Sequence, residues 1–440
     1  MLVYEKELSL PVSEGHADLL RHAAETVPAT LDEKETPVRF VITKTDSKGY
    51  RCELGVLSGA REQRFFPEGS IFNLYKRRFE RIGAFTAVFL VPTGIGAEIG
   101  GHSGDSGAVA RLLASACDLL VTHPNVANAA DINELPENAL YVEGSVISRL
   151  LLGSTGLQRV RSNRVMVIVG SHPDETFFNA TVNSVSAARA AFGLDCPLVA
   201  RVGADFSMRS SYSSSGSAAG RIKGFECLCR ILEKHRDRYD AVAVSSLVDV
   251  PHCFHADYFK DDASMVNPWG GVEAMLTHAV SMLFDIPSAH APMMTSKEIR
   301  AMDLGIVDPR KSAEAVSVTY FHSVLKGLAR SPRIVSRRDT DGDSPGLLTT
   351  ADISCLVIPY GCVGIPTLAA LEQDIPVIAV RENKNLMANR MEDLPFTPGR
   401  LFVVENYLEA AGVMSALKAG VTIESVRRPI PHTTVYGSEE

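Results

Sequence analysis

From residue 85 onward the chain alternates short apolar runs with longer stretches of helical periodicity, and this alternation limits its fold more than any other feature. Residues 87–92, 118–122, 165–169, 197–202 and 241–245 read as strands, and residues 107–116, 176–192 and 216–235 as helices. Within 176–192, Phe178, Val182, Val185, Ala188 and Phe192 fall on one helical face. Strands that alternate with helices pair in parallel and are covered on both faces. Their crossovers are right-handed, and ligands lie beyond the carboxyl ends of the strands. The expected fold class is α/β, with Rossmann-like, mainly parallel sheets in two lobes.

Two segments frame this region. In residues 1–84, the β-type runs 38–44 and 50–56 flank Asp46-Ser47-Lys48-Gly49, a hairpin signature, and helical patterns occur at 17–26 and 71–82. Residues 1–84 are therefore expected to form a small α+β N-terminal domain, and 85–336 the larger α/β domain. Within the latter, 312–328 reads as one helix, with Val318, Phe321, Val324, Leu325 and Leu328 on a packing stripe. The polar, turn-rich run 337–350 reads as a linker. Residues 351–440 read as a second, smaller α/β lobe, with strands at 355–359, 376–380 and 401–404 and helices at 366–372 and 406–419.

With 440 residues, 45% of them hydrophobic, the chain can bury a large core. Its net charge of -8 lacks the basic field that a phosphate backbone attracts, so no nucleic-acid partner is expected. Charges at Glu5, Lys6 and Glu7 rule against a signal peptide, and no apolar run approaches the ~20 residues of a membrane helix. The 8 scattered cysteines read as reduced thiols. These features predict a cytoplasmic protein with a small-molecule partner and no membrane contact, and twofold homo-oligomers are the commonest assembly of such chains.

The segment best suited to chemistry is 91–107, VPTGIGAEIGGHSGDSG, where a buried strand runs into glycines before a helix. Glycines allow turns that aim amide N–H groups at an anion, here through Thr93, Gly94, Gly96, Gly100, Gly101 and Ser103. The spacing is neither the dinucleotide fingerprint nor a Walker loop. His102 and Asp105 add acid–base groups. The next two strand ends carry His123, Asn125, Asn128 and Asp131, and then Glu143-Gly144-Ser145. His102, Asp105, His123 and Glu143 form the expected proton-transfer set, with Asn125, Asn128 and Ser145 as substrate contacts. The competing reading of each is a loop that satisfies its own backbone.

Several later segments carry weaker signals. Asp174 or Thr176 reads equally as a helix cap. The serine-rich run 210–221 ends at Arg221 and reads either as a phosphate cradle at a helix start or as a loose loop. His252, His255 and Asp257 offer donors for a divalent metal, the one cofactor the chain suggests, though at no standard zinc spacing. Trp269 either stacks on a planar ligand or plugs the core. Gly361, Cys362, Gly364 and Thr367 form a strand–turn–helix start, where a helix N-terminus would lower the thiol pKa and suit a nucleophile. The alternative is a small buried thiol. Asn383 ends the following strand on the same rim.

Five stretches, PTGIGAEIGGHSGDSG, THPNVANAADINELP, LYVEGS, NPWGGVEA and PYGCVGIPT, together resemble a bacterial family catalogued as domain of unknown function 3326. They span Pro92 to Thr367, and the resemblance implies a shared fold and site without a transferable activity. Residues 351–383 are similar to the donor-binding half of two-domain glycosyltransferases and nucleotide-sugar epimerases, which hold a diphosphate at that helix start. GCVGIPTL resembles the second cysteine motif of aspartate/glutamate racemases, but Gly170-Ser171-His172 stands where a first cysteine would be needed.

The function expected from these readings is an enzyme acting on a small anionic metabolite, phosphorylated or nucleotide-like, held by the glycine-rich loops between two lobes. A cysteine- or metal-dependent hydrolase or isomerase is the alternative, and a non-catalytic small-ligand binder is the third.

Overall fold

The apolar runs of the sequence become strands buried on both faces. Every residue of Ile353–Pro359 and of Val165–Val169 is buried, as parallel strands covered by helices require. A computed structural model describes residues 1–436 apart from 14, 15, 17, 68, 251–256, 261–264, 318 and 338–345. Six strands form an all-parallel sheet, in the spatial order Ala139–Tyr141, Leu119–Thr122, Thr86–Phe89, Ile353–Pro359, Val377–Val380 and Leu401–Val404. Numbered along the chain, these strands run 3-2-1-4-5-6 across the sheet. The order reverses between Thr86–Phe89 and Ile353–Pro359, and ligands of doubly wound sheets bind beyond the carboxyl ends at such a reversal.

The long connection between Tyr141 and Ile353 holds most of a second, ten-stranded sheet. Its parallel part is Leu198–Arg201, Val165–Val169, Ala241–Asp249 and Ser288–Met293. From Ser207–Tyr212 it continues antiparallel through Ala218–Lys223, Leu2–Leu10, Gly49–Ser58 and Glu35–Asp46 to the short strand Val363–Gly364. The fold is therefore mixed α/β, but only one of these two sheets is parallel throughout, in place of the two mainly parallel lobes expected.

The expected divisions at 84/85 and 336/351 do not follow the sheets. Leu2–Leu10 pairs with both Gly49–Ser58 and Ala218–Lys223, so the N-terminal hairpin belongs to the large sheet. The parallel sheet takes three strands from each side of the expected linker. Val363–Gly364, directly after the strand Ile353–Pro359, pairs with Val41 and Ile42 and joins the two sheets.

Three expected helices differ. Residues 71–82 are turns and bends: the Arg77 guanidinium donates to the carbonyls of Gln373 and Ile353, at 3.0 and 2.7 Å, and these tertiary bonds override local periodicity. The segment 216–235 begins as strand, and its helix, Phe225–Lys234, follows Gly224. The predicted helix 312–328 breaks into Ser312–Val316 and His322–Arg330. Asp131 makes the break, its carboxylate accepting from the Ser317 and Thr319 hydroxyls and from the Thr319 and Phe321 amides at 2.6–3.1 Å. The helix Glu175–Phe192 forms as expected, but it buries Phe177, Thr181, Ser184, Val185 and Ala188, and Phe192 is exposed.

The helix Gly270–Phe284 lies against the large sheet so closely that a Cβ on Gly271 would stand 2.0 Å from the Ala218 carbonyl oxygen. Gly271→Ala is expected to lower stability by about 3 kcal/mol, because backbone rather than a side chain would have to move. Gly412→Ala, at an exposed position of the helix Tyr407–Lys418 with nothing within 4 Å, should raise it by about 0.5–1 kcal/mol. Urea unfolding of both variants checks the pair of signs.

Candidate functional site

Two adjoining cavities of about 190 and 130 Å³ lie at the carboxyl ends of the parallel strands, where the strand order reverses. Thr93, His123, Gly144, Ala274 and His278 border both and form the waist between them. The first chamber mixes apolar walls, among them Phe259, Met293, Met294 and Val324, with most of the polar groups: Asn125, Asn128, Glu143, Asn267, Trp269, Glu273, His290 and Glu314 line it, and among the described residues no lysine or arginine does.

Glu143 organises the waist. It follows the strand Ala139–Tyr141 and caps the helix Gly144–Leu151, its Oε2 accepting from the amides of Ser145 and Val146 at 3.0 and 3.3 Å. The hydroxyls of Ser145 and Ser281 also donate to Oε2, and Thr277 Oγ1 donates to Oε1 at 3.3 Å. His278 Nε2 lies 3.1 Å from Oε1. Burial would raise the carboxyl's pKa, but His278 and the hydrogen bonds from His278 and Ser145 outweigh it and hold Glu143 at about 2. An ionised carboxylate only accepts, so the His278 proton sits on Nε2. In the neutral tautomer that this contact selects, the lone pair falls on Nδ1, which is buried without a partner among the described residues.

His123 has the opposite arrangement. The Val91 amide donates to its Nε2 at 3.1 Å, so the proton of the neutral imidazole is on Nδ1. Burial pushes its pKa down to about 4, with His278 adding to the shift and Glu143 opposing it. His123 is thus a neutral N–H donor near pH 7, and of the proton-transfer roles this tautomer offers the chamber a donor and not a base.

A third imidazole, His290, is held between Glu273 and Ser246. Nδ1 lies 2.9 Å from Glu273 Oε1, and Nε2 lies 2.9 Å from Ser246 Oγ. Ser246 is buried and does not line the cavity. This serine–histidine–glutamate chain therefore presents Glu273 and the ring, not a nucleophile. Glu314 closes the far side: burial raises its carboxyl to about 7 against the opposing hydrogen bonds from the Ser103 amide, at 2.7 Å, and from Tyr258.

Three amides of the glycine-rich loop are taken by side chains of the protein rather than left for an anion. The Gly100 amide donates to Asp105 at 2.8 Å, the Ile99 amide to Asn383 at 2.8 Å, and the Ser103 amide to Glu314. Gly94, Gly96 and Gly100 have positive φ. Gly101 has no room for a Cβ, which would stand 2.1 Å from the Ala97 carbonyl oxygen. Only Thr93, Gly101 and Ser103 of this loop line the first chamber. His102 and Asp105 do not. His102 hydrogen-bonds Tyr258 at 2.8 Å, and burial, then Lys311 and Arg310, push its pKa down to about 4. Burial raises Asp105 to about 7.

The remaining candidates separate in space. Asn125 donates to the Gly100 carbonyl at 2.6 Å and Asn128 to Tyr141 at 3.0 Å, both at the chamber wall. Ser145, Cys362 and Gly364 line the second chamber. The expected lowering of the Cys362 pKa is reversed, because burial pushes this thiol well above its ordinary value. Gly361 has φ +87 in the turn, and Thr367 donates to the Cys362 carbonyl at 2.7 Å. Asn383 spends its amide on Ile99 and on Tyr407, at 2.8 and 2.6 Å. Arg221 lies exposed on a strand, not at a helix start, 5.8 Å from the Tyr4 ring. His252 and His255 fall outside the described residues; Asp257 is exposed, and no metal-binding group of three or more His, Cys, Asp or Glu occurs among the described ones. Trp269 lines the first chamber, edge-on to Tyr258 at 5.3 Å.

His278, Glu273, Thr277, Ser281, His290 and Glu314 were not expected from sequence. Four of them, Glu273, Thr277, His278 and Ser281, recur at helical spacing on the otherwise apolar helix Gly270–Phe284, a polar stripe that periodicity could have exposed.

The fold and site define an α/β protein with a buried histidine–carboxylate cavity at the switch point of a parallel sheet. Residues 86–427 match the model of the protein family of unknown function DUF3326, and the chain belongs to that family. It is 30% identical to an uncharacterized lipoprotein of Synechococcus sp., over 77% of this chain and 92% of that protein. No solved structure matches it. Among the described residues, no helix is long and apolar enough to cross a membrane.

The Glu314 carboxyl sets a pH dependence. Its pKa is higher folded, about 7, than the ordinary 4.5, so unfolding releases a proton between these values and stability falls as pH rises through them. Glu314→Gln removes this contribution. The variant should lose about 1–3 kcal/mol less than the wild type between pH 5 and pH 8 in urea unfolding. Identical losses would mean that Glu314 is ionised throughout.

Proposed function

We propose that this chain is an enzyme that moves a proton on a small anionic metabolite bound in the first chamber. The observation that carries the reading is the pairing, at one waist, of an imidazole held by a carboxylate through Nε2 with a second imidazole held by a backbone amide through Nε2. His278, whose ring borders both chambers and is oriented by Glu143, serves as general base in its neutral form. His123 donates its Nδ1 proton to the substrate oxygen on which charge develops, and its low pKa keeps it neutral in that role. Glu143 is a positioning residue. No nucleophilic side chain is hydrogen-bonded to His278 Nδ1, which favours proton abstraction from a carbon beside a carbonyl over attack by a protein nucleophile.

The anionic part of the reading rests on the helix Gly270–Phe284. It begins at the chamber wall without a side-chain cap, and a helix N-terminus attracts negative charge. Gly270 and Thr93 border that point, close to the His123 donor. Without a lysine or arginine among the described lining residues, one carboxylate suits this chamber better than a diphosphate. A volume of about 190 Å³ likewise suits a small acid and not a nucleotide. The strand order 3-2-1-4-5-6 supports the Rossmann-like part of the reading, with the site at the order reversal.

Native mass spectrometry of protein purified without added ligand should identify a retained small acid. Incubation of that acid with enzyme in D2O, followed by proton NMR, should show deuterium entering at the carbon beside the carbonyl. His278→Ala should slow this exchange by about 10²–10⁴-fold with an unchanged unfolding midpoint. Glu143→Gln should alter the pH profile of the exchange as well as its rate. Exchange at the wild-type rate in His278→Ala removes His278 as the base. Loss of exchange on chelation or thiol alkylation transfers the chemistry to a metal near His252, His255 and Asp257, or to Cys362.

A further inference from the structure

The second chamber differs in chemistry from the first, although they meet at His123 and His278. Its walls are mostly apolar, with Leu90, Ile95, Met282, Ile358, Cys362 and Met387 among them. Two arginines reach it and both are paired, although Arg149 Nε is left buried without a hydrogen-bond partner among the described residues. Arg39 bonds Glu5 at 2.8 Å and lies 3.7 Å from Glu53, and Arg149 pairs with Asp285. Of its hydroxyls, Ser145 donates to Glu143, and Ser148 donates to the Gly144 carbonyl at 3.1 Å. The chamber therefore offers a substrate contact area but few unspent polar groups. A volume of about 130 Å³ is close to the roughly 150 Å³ of an apolar cavity that accepts one benzene ring.

We propose that the second chamber receives an apolar arm of the substrate, a short alkyl chain or a single ring, while the polar head occupies the first chamber. The substrate class is thus an amphipathic acid whose reacting carbon lies between head and arm. This inference rests on the proposed acid–base reading of the waist. It also explains why the base and the donor stand at the border of both chambers and not deep in the polar one. A carbon flanked on one side by a carbonyl or carboxyl group and on the other by an apolar substituent would come to rest beside the His278 ring, which borders both chambers. The same arrangement makes the second chamber the selector of substrate length, and Ser148, half-buried on the helix Gly144–Leu151, one of the residues that set its depth.

The test uses two homologous series on the full chain, propanoate to hexanoate and propanol to hexanol, with binding read from the methionine methyl resonances of ¹³C-methyl-labelled protein. Each added methylene is expected to tighten binding about fourfold, until the chamber is full. The longer members should shift the Met282 and Met387 signals, which the shortest member should leave in place. Ser148→Leu should shorten the preferred chain and leave propanoate affinity unchanged. Assignment of the methyl signals keeps the test independent of whether that variant folds.

The outcomes separate the two claims. If acids bind and chain length has no effect, the apolar arm is wrong while the anionic reading stands. If alcohols bind with the expected length dependence and acids do not, the chamber assignment stands and the anionic reading falls. Binding of neither series overturns both.

Discussion

A carboxylate shielded from solvent needs every one of its acceptor sites filled, and Glu143 meets that requirement by drawing on both halves of the molecule. Its own strand and helix belong to the parallel sheet, while Thr277, His278 and Ser281 come from a helix laid against the mixed sheet. Leaving a buried charge without its partners costs about 3–5 kcal/mol, so the two elements cannot separate without a large loss. The same bonds fix the width of the waist and the tautomer of His278. The site is therefore a consequence of how the two sheets are fastened, and its geometry is as rigid as that fastening.

The parallel sheet was legible in the sequence because its strands are continuous apolar runs that allow one reading. Residues 401–404 appear as a strand of that sheet with those same bounds, and so do residues 165–169 in the parallel part of the larger one. What could not be read was pairing. Leu2–Leu10 carries alternating charges and reads as nothing in particular, yet it lies between the N-terminal hairpin and Ala218–Lys223. Neither local propensity nor spacing encodes a partner more than two hundred residues away. The serine-rich run failed for a similar reason: Gly220 there admits no Cβ because Val272 and the Arg209 carbonyl stand too close, a tertiary constraint that makes it strand where composition suggested a helix entry.

The site was legible in place but not in role. Strand ends after residues 122 and 141 do supply His123 and Glu143, as the architecture leads one to expect. The glycine-rich loop beside them serves a different purpose from the one its composition suggests. A Cβ on Gly104 would stand 2.4 Å from that of Ala129, and one on Gly100 would stand 2.9 Å from Val91. The glycines let the loop press against its neighbours, and carboxylates of the protein itself take its amides. Glycine content thus reported close packing, which is indistinguishable in one sequence from an open anion cradle.

His123 and His278 illustrate how far residue type falls short of chemistry. Each is a partly or fully buried imidazole beside the same carboxylate, and a sequence offers no way to tell their nitrogens apart. The difference comes from what each ring is bonded to: a backbone N–H at Nε2 leaves a neutral His123 a donor at Nδ1, and a carboxylate at Nε2 leaves a neutral His278 an acceptor there. One amide of Val91, at the end of a strand, and one oxygen of Glu143, at the start of a helix, therefore divide two like side chains into an acid-like and a base-like partner. Exchanging either contact would leave the composition of the cavity intact and remove the asymmetry on which a directed proton transfer depends.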